Sequence, residues 1–177
     1  GYDLPVIASI TVDKNGFMLS GRSIESAYVD LMHFDLIAIG INCSTGPIEM
    51  ESSLSRLSDI SDKPLFVMPN AGLPDENGNY PMSPDDFADT IKRYAISGYI
   101  NIAGGCCGTS YTHIKKLTEK LKGIKPREIK KTNRFAVAHK IAIFEDDIEK
   151  PFLVAERMNS LGSKKFRRLV NENKIDE

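Results

Sequence analysis

Four times between residues 6 and 121, a short apolar run rich in β-branched residues gives way to a polar loop and then to a helical stretch. That alternation limits the fold more than any other feature of the chain. Consecutive strand–helix units with short links close with right-handed crossovers, so their strands run parallel in one sheet. The expected strands lie near residues 6–12, 36–42, 65–70 and 99–105. They read as mostly apolar rather than alternating, as a sheet covered on both faces requires. The helices announce themselves too. Residues 23–34 carry a helical pattern, and Pro47 fits the first turn of a helix reaching about Ile60. Ser83-Pro84-Asp85-Asp86 supplies a capping serine, a proline at the first helical position and two acids against the helix dipole. A fourth helix is expected from Thr109 or Ser110 to about Leu121. The fold class is therefore α/β, and four such units are half of a (β/α)8 TIM barrel, which usually takes ~250 residues.

Past Leu121 the character changes. Residues 123–131 are basic and contain proline, and residues 135–148 mix apolar and acidic side chains without clear periodicity, which reads as a linker over 126–150. An apolar run at 152–155 followed by Ser163-Lys164-Lys165-Phe166 then reads as a new strand and helix start, so 151–177 is expected to open a second βα domain. The chain begins Gly1-Tyr2-Asp3-Leu4-Pro5 and turns strand-like at once, as a piece of something longer would. A net charge of -1 offers no basic excess for nucleic acid. No apolar run approaches the ~20 residues that span a bilayer, and no charged-then-apolar leader opens the chain. Three cysteines, an odd number, argue against a disulfide framework and for a reducing compartment, so the expected location is the cytoplasm.

Those cysteines carry the chemistry. Cys43 follows the second expected strand in Gly40-Ile41-Asn42-Cys43, and Cys106 and Cys107 follow the fourth in Gly104-Gly105-Cys106-Cys107-Gly108-Thr109. Asn70 follows the third in Pro69-Asn70-Ala71-Gly72-Leu73-Pro74. In βα barrels the active loops sit at the carboxyl ends of the strands, so all four residues should meet at one mouth. A lone cysteine at a strand end is ordinarily a small buried hydrophobe, and a cysteine pair flanked by glycine suits redox thiols. Three thiols brought together instead suit a soft metal ion with one position left open, the pattern of catalytic rather than structural zinc. Three thiolates on Zn²⁺ leave a net negative, electron-rich site that can take a fourth thiol as thiolate and keep it nucleophilic, which suits alkyl transfer to sulfur. The histidines are scattered: His33 and His139 lie away from the mouth, and His113, one helical turn past the cysteine pair, is a weak candidate.

Taken together, the three loop motifs resemble the homocysteine-binding, zinc-dependent S-methyltransferase barrel family, over residues 1 to about 125 and with a separation of 63 between Cys43 and Cys106. The resemblance implies that 1–125 is the carboxyl half of a homocysteine-binding barrel. It makes Cys43, Cys106 and Cys107 the zinc ligands, with Asn70 approaching zinc only when homocysteine is absent. Residues 155–166 are similar to the GERTN-x-x-GS-x-KF stretch that opens the methyltetrahydrofolate-binding barrel of the cobalamin-dependent methionine synthase family, departing from it at Ala155, Met158, Ser160 and Leu161. This implies a methyl donor, methylcobalamin, carried on another module of the parent chain, and methyltetrahydrofolate as its source. The segment by itself is then expected to be inactive. Donors such as betaine or S-methylmethionine, and a non-catalytic thiol-rich metal or redox module, are the alternatives.

Overall fold

The computed structural model describes residues 4–129, 136–144 and 162–172. Its main body is a four-stranded parallel sheet, β1 (Ile7–Ile10), β2 (Ala38–Asn42), β3 (Leu65–Met68) and β4 (Ile102–Ala103), in the order of the sequence. Between and after the strands run α1 (Ile24–Leu31), α2 (Pro47–Ile60), α3 (Pro84–Ile96) and α4 (Tyr111–Leu121). The expected α/β architecture is present, with strands shorter than the apolar runs. The largest difference is at β4, where Asn101 N–H to Leu65 O and Gly104 N–H to Val67 O continue the pairing one residue beyond each end. Boundaries of that kind shift by a residue or two with the criterion used.

The helix starts follow the local chemistry. Ser23 and Ser83 accept the backbone N–H groups of Ser26 and Asp86, and proline occupies the first turns of α2 and α3. Each helix buries one stripe: Ile24 and Tyr28 on α1, Met50, Leu54 and Leu57 on α2, Phe87, Ile91 and Tyr94 on α3. The spacing of three and four is the period of one helical face. These stripes pack on Ile10, Ile39, Ile41, Leu65 and Val67 of the sheet. Full burial of each such side chain contributes roughly 1.5–3 kcal/mol. The register places Ile7, Ser9, Asn42, Met68 and Ile102 on the other face, and all of these remain at least partly exposed. Phe66 shares that face but is buried, and a Cβ on Gly40 would run into its backbone carbonyl and the edge of its ring.

Two features hold the amino ends of the strands. Arg127 is buried and donates to the carbonyls of Ser58 at 2.7 Å and Lys63 at 3.2 Å, and also to that of Ser61. A cation at the last turn of α2 also answers the helix dipole. Asn101 accepts from Leu65 N–H through Oδ1 and donates to the Arg127 carbonyl, fastening β3, β4 and the segment after α4 to one another.

Residues 136–144, within the stretch that reads as linker, form an antiparallel hairpin, β5 (Ala136–Ala138) and β6 (Ala142–Phe144), in the same compact unit as the parallel sheet. It sits on α1: the His139 carbonyl accepts from Arg22 Nε and Ser26 Oγ, Ser23 N–H donates to Lys140 O, and Phe144 joins the core. Strands of three residues are too short to leave a periodic trace. The compact unit beyond residue 145 contributes α5 (Lys164–Asn171), whose N-cap is Ser163, as expected. The expected strand at 152–155 and residues 155–161 of the folate-like motif lie outside the described residues. Among the described residues, no helix is long and apolar enough to cross a membrane.

Candidate metal centre

At the carboxyl ends of β2, β3 and β4 the three following loops lace together through their backbones. Cys43 N–H continues the β2–β3 ladder by donating to Met68 O, and Cys106 N–H donates to Pro69 O. Asn70 is the crossing point. Its N–H donates to Thr45 O, its buried side-chain Oδ1 accepts from Cys107 N–H at 3.1 Å, and the next residue, Ala71, donates to Cys107 O. Three loops far apart in sequence are thus fixed by main-chain bonds, which holds their side chains more tightly than surface loops usually hold theirs.

The backbone is strained where the first sulfur emerges. Cys43 has φ 59 and Ser44 φ 69, both left-handed and neither glycine. Thr45 N–H donates back to Cys43 O at 2.9 Å, closing a γ-turn of the rare hand around Ser44. Such conformations cost on the order of 1–3 kcal/mol each and persist where surroundings over-determine them. On the other side, Gly108 takes φ 76, turning the chain just past the pair, and Thr109 Oγ1 closes the turn on Cys106 O.

The result is a sulfur triangle. Cys43 Sγ lies 3.7 Å from Cys107 Sγ, Cys106 Sγ lies 3.9 Å from Cys107 Sγ, and all three fall within 4.8 Å of one another. Three sulfurs each ~2.3 Å from one tetrahedral zinc ion would stand ~3.8 Å apart, so the donor set fits that metal. Among the described residues this is the one such group. The thiols differ electrostatically. Cys43 is held below the ordinary thiol value, first by the N–H of Ser44 and further by the other two cysteines and the Asn70 amide. Cys106 is pushed up, first by burial and then by its sulfur neighbours.

The histidines take no part. His113 is buried, its Nδ1 accepting from Ser110 N–H and its Nε2 facing Met82 O at 3.1 Å, so it caps α4 and ties it to the loop before α3. These partners assign the Nε2–H tautomer. His33 is exposed after α1, and His139 lies in the hairpin. Two residues at the mouth left no signal in the sequence. Thr45 Oγ1 is buried without a hydrogen-bond partner among the described residues, and the Tyr80 side chain packs where a Cβ on Gly108 would stand, beside the cysteine pair.

A model of the homocysteine S-methyltransferase family matches residues 2–121. The chain belongs to this family. It is 34% identical over 172 residues to the methionine synthase of Mycobacterium tuberculosis, an alignment covering 94% of this chain and 14% of that protein. The chain therefore spans about a seventh of that relative's length. The crystal structure of an oxidised form of the homocysteine methyltransferase from Escherichia coli aligns with a TM-score of 0.48 at 22% identity, over 64% of this chain and 35% of that one. The family match spans all four βα units and the loops that carry Cys43, Asn70, Cys106 and Cys107.

Proposed function

We propose that this member of the homocysteine S-methyltransferase family is the zinc-holding part of a methionine synthase. In this reading Cys43, Cys106 and Cys107 hold the metal, homocysteine sulfur takes the fourth position, and methylcobalamin on another module supplies the methyl group. The observation that carries the reading is the spacing of the sulfurs, 3.7 and 3.9 Å, at the ends of parallel strands. Zinc on three thiolates would supply the charge that lets an incoming thiol lose its proton and stay nucleophilic.

The chain's own residues prepare that site. The Ser44 N–H first, then the two neighbouring cysteines and the Asn70 amide, favour the thiolate form of Cys43. Asn70 also fixes the Cys107 backbone, and through it the direction of that sulfur. Its Oδ1 is engaged there, so a turn as substitute fourth ligand requires this bond to open. Cys43 and Cys106 are half-buried, while the exposed edge at Cys107 leaves an approach for substrate.

The four parallel units are half of an eight-stranded barrel in this proposal, and the face bearing Ile7, Met68 and Ile102 lines its interior. The 34% identity to a methionine synthase supports that activity. The resemblance of residues 155–166 to the start of a methyltetrahydrofolate-binding barrel is what favours methylcobalamin over betaine or S-methylmethionine as donor, with residues 151–177 opening that barrel. In this reading the segment alone is inactive, and three unpaired thiols suit a reducing compartment such as the cytoplasm.

The test is to measure zinc content of the full-length protein and then titrate homocysteine while following proton release. One zinc per chain and one proton per homocysteine are expected. Zinc retained with no proton release would instead identify a non-catalytic metal or redox module. Turnover with betaine or S-methylmethionine but not methylcobalamin would reassign the donor.

A further inference from the structure

The sheet face turned away from the helices is apolar except at two places. Of the strand residues on it, only Ser9 and Asn42 carry hydrogen-bonding side chains. The two meet: Ser9 Oγ donates to Asn42 Oδ1 at 2.5 Å. That bond fixes the Asn42 amide by its oxygen. It leaves Nδ2, with its pair of N–H donors, without a partner among the described residues. The Ser9 oxygen, having donated its proton, keeps its lone pairs free to accept.

Asn42 belongs to the layer of side chains just before the sulfurs. It is the last residue of β2 and precedes Cys43, and its partner in register is Met68, whose carbonyl accepts the Cys43 N–H. The Met68 side chain reaches in turn to Gly104, where a Cβ would stand 3.3 Å from it, two residues before Cys106. Gly40 and Gly104, flanking this layer, put no side chain on the face, and Met68 is partly exposed on it. Beside Nδ2 there is therefore open face, with a thioether at its edge. The backbone at Cys43 bears on the same place. In a continued strand Cys43 would alternate to the helix-covered side, opposite Asn42. Its φ of 59 turns the Cβ off that course.

We infer that Asn42 and Ser9 recognise the amino-acid head of the thiol substrate: Asn42 Nδ2 donates to its α-carboxylate and Ser9 Oγ accepts from its α-ammonium, with Met68 against the methylenes between head and sulfur. The inference rests on the homocysteine reading proposed above and deepens it, by naming the side chains that tell an amino-acid thiol from a plain alkyl thiol. A donor and an acceptor locked side by side match a zwitterion and gain nothing from a hydrocarbon. Hydrogen bonds to ionised groups are among the stronger ones. A site built to bond a polar group also rejects the analogue that lacks it, because its own polar atoms are then left unpaired. In homocysteine two methylenes separate the sulfur from Cα, so a molecule held by its sulfur at the triangle keeps its head close to the layer that precedes the cysteines.

The test uses the zinc-loaded full-length protein and two thiols, homocysteine and 1-propanethiol, which lacks the head. Proton release on titration gives the affinity for each. Asn42→Ala is expected to keep its zinc and to bind propanethiol as the unaltered protein does. Its homocysteine affinity is expected to fall by roughly tenfold or more, the scale of one hydrogen bond to a charged group. Asn42→Asp keeps the shape and the oxygen to which Ser9 donates, and sets a carboxylate where the donor stood. Its preference for homocysteine over propanethiol is expected to fall further, and it decides alone if Asn42→Ala fails to fold. Unchanged homocysteine affinity, or an equal fall for both thiols, would overturn the inference while leaving the three-cysteine site standing. Failure of the unaltered protein to hold zinc or to bind either thiol would overturn the homocysteine reading as well.

Discussion

The side-chain oxygen of Asn70 accepts the backbone N–H of Cys107 at 3.1 Å, joining the loop after β3 to the loop that carries two of the three sulfurs. Asn70 is buried, so its amide has no water to take the place of Cys107. Asn70→Ala leaves that N–H unpaired and is expected to lower stability by about 1–3 kcal/mol. Asn70→Asp retains an acceptor oxygen and is expected to recover much of the loss. Urea denaturation of both variants measures the difference; equal losses would assign Asn70 no role through this bond.

Zinc binding should depend on each sulfur of the triangle. Cys43→Ala, Cys106→Ala and Cys107→Ala each leave two thiolates, and among the described residues no other His, Cys, Asp or Glu joins the group. Each is expected to lose stoichiometric zinc on dialysis, whereas His33→Ala and His139→Ala keep it. Metal analysis of the five proteins decides the ligand set.

The two shifted thiols should be distinguishable in metal-free protein. Cys43 lies below the ordinary thiol value of 9.0 and Cys106 above it. The depressed group contributes stability above that ordinary value, and the contribution is lost as pH falls through the lowered Cys43 pKa. The raised group has the opposite sign: its contribution is complete below the ordinary value and lost as pH rises through the raised Cys106 pKa. Because the thiolate is the nucleophile, iodoacetamide at about pH 8 should label Cys43 before Cys106. Peptide mapping by mass spectrometry at short times reads the order.

Arg127 should matter to stability far more than a surface arginine. Its guanidinium donates to the carbonyls of Ser58, Ser61 and Lys63 from a buried position. Arg127→Met is expected to cost about 2–4 kcal/mol, since each orphaned carbonyl keeps its desolvation penalty. Arg127→Lys is expected to restore little, because an ammonium cannot span three acceptors as a planar fork does. Denaturation midpoints of the two variants test this.

What was legible in the sequence was what local chemistry writes down. Pro47, Ser83 and the apolar stripe from Met50 to Leu57 mark helices by themselves, and the α/β class follows from their alternation with strands. The cysteines were legible because a rare residue type recurs at equivalent loop positions. Arg127 and Tyr80 were not: Arg127 acts on carbonyls 64 to 69 residues away, and such acceptors exist in every residue. The hairpin at 136–144 was missed for a related reason, since its stability comes from Arg22, Ser26 and the core rather than from its own three-residue strands.

The clasp around Arg127 and the sulfur triangle lie at opposite ends of the same four strands. That separation has an evolutionary and engineering consequence. Residues of the loops after β2, β3 and β4, outside the Asn70 and cysteine crossings, can be exchanged for others without touching the fastening that ties β3, β4 and the end of α2 together beneath them. A library randomised from residue 72 to 79 should therefore yield mostly folded proteins, and the same diversity placed at 58–63 should not.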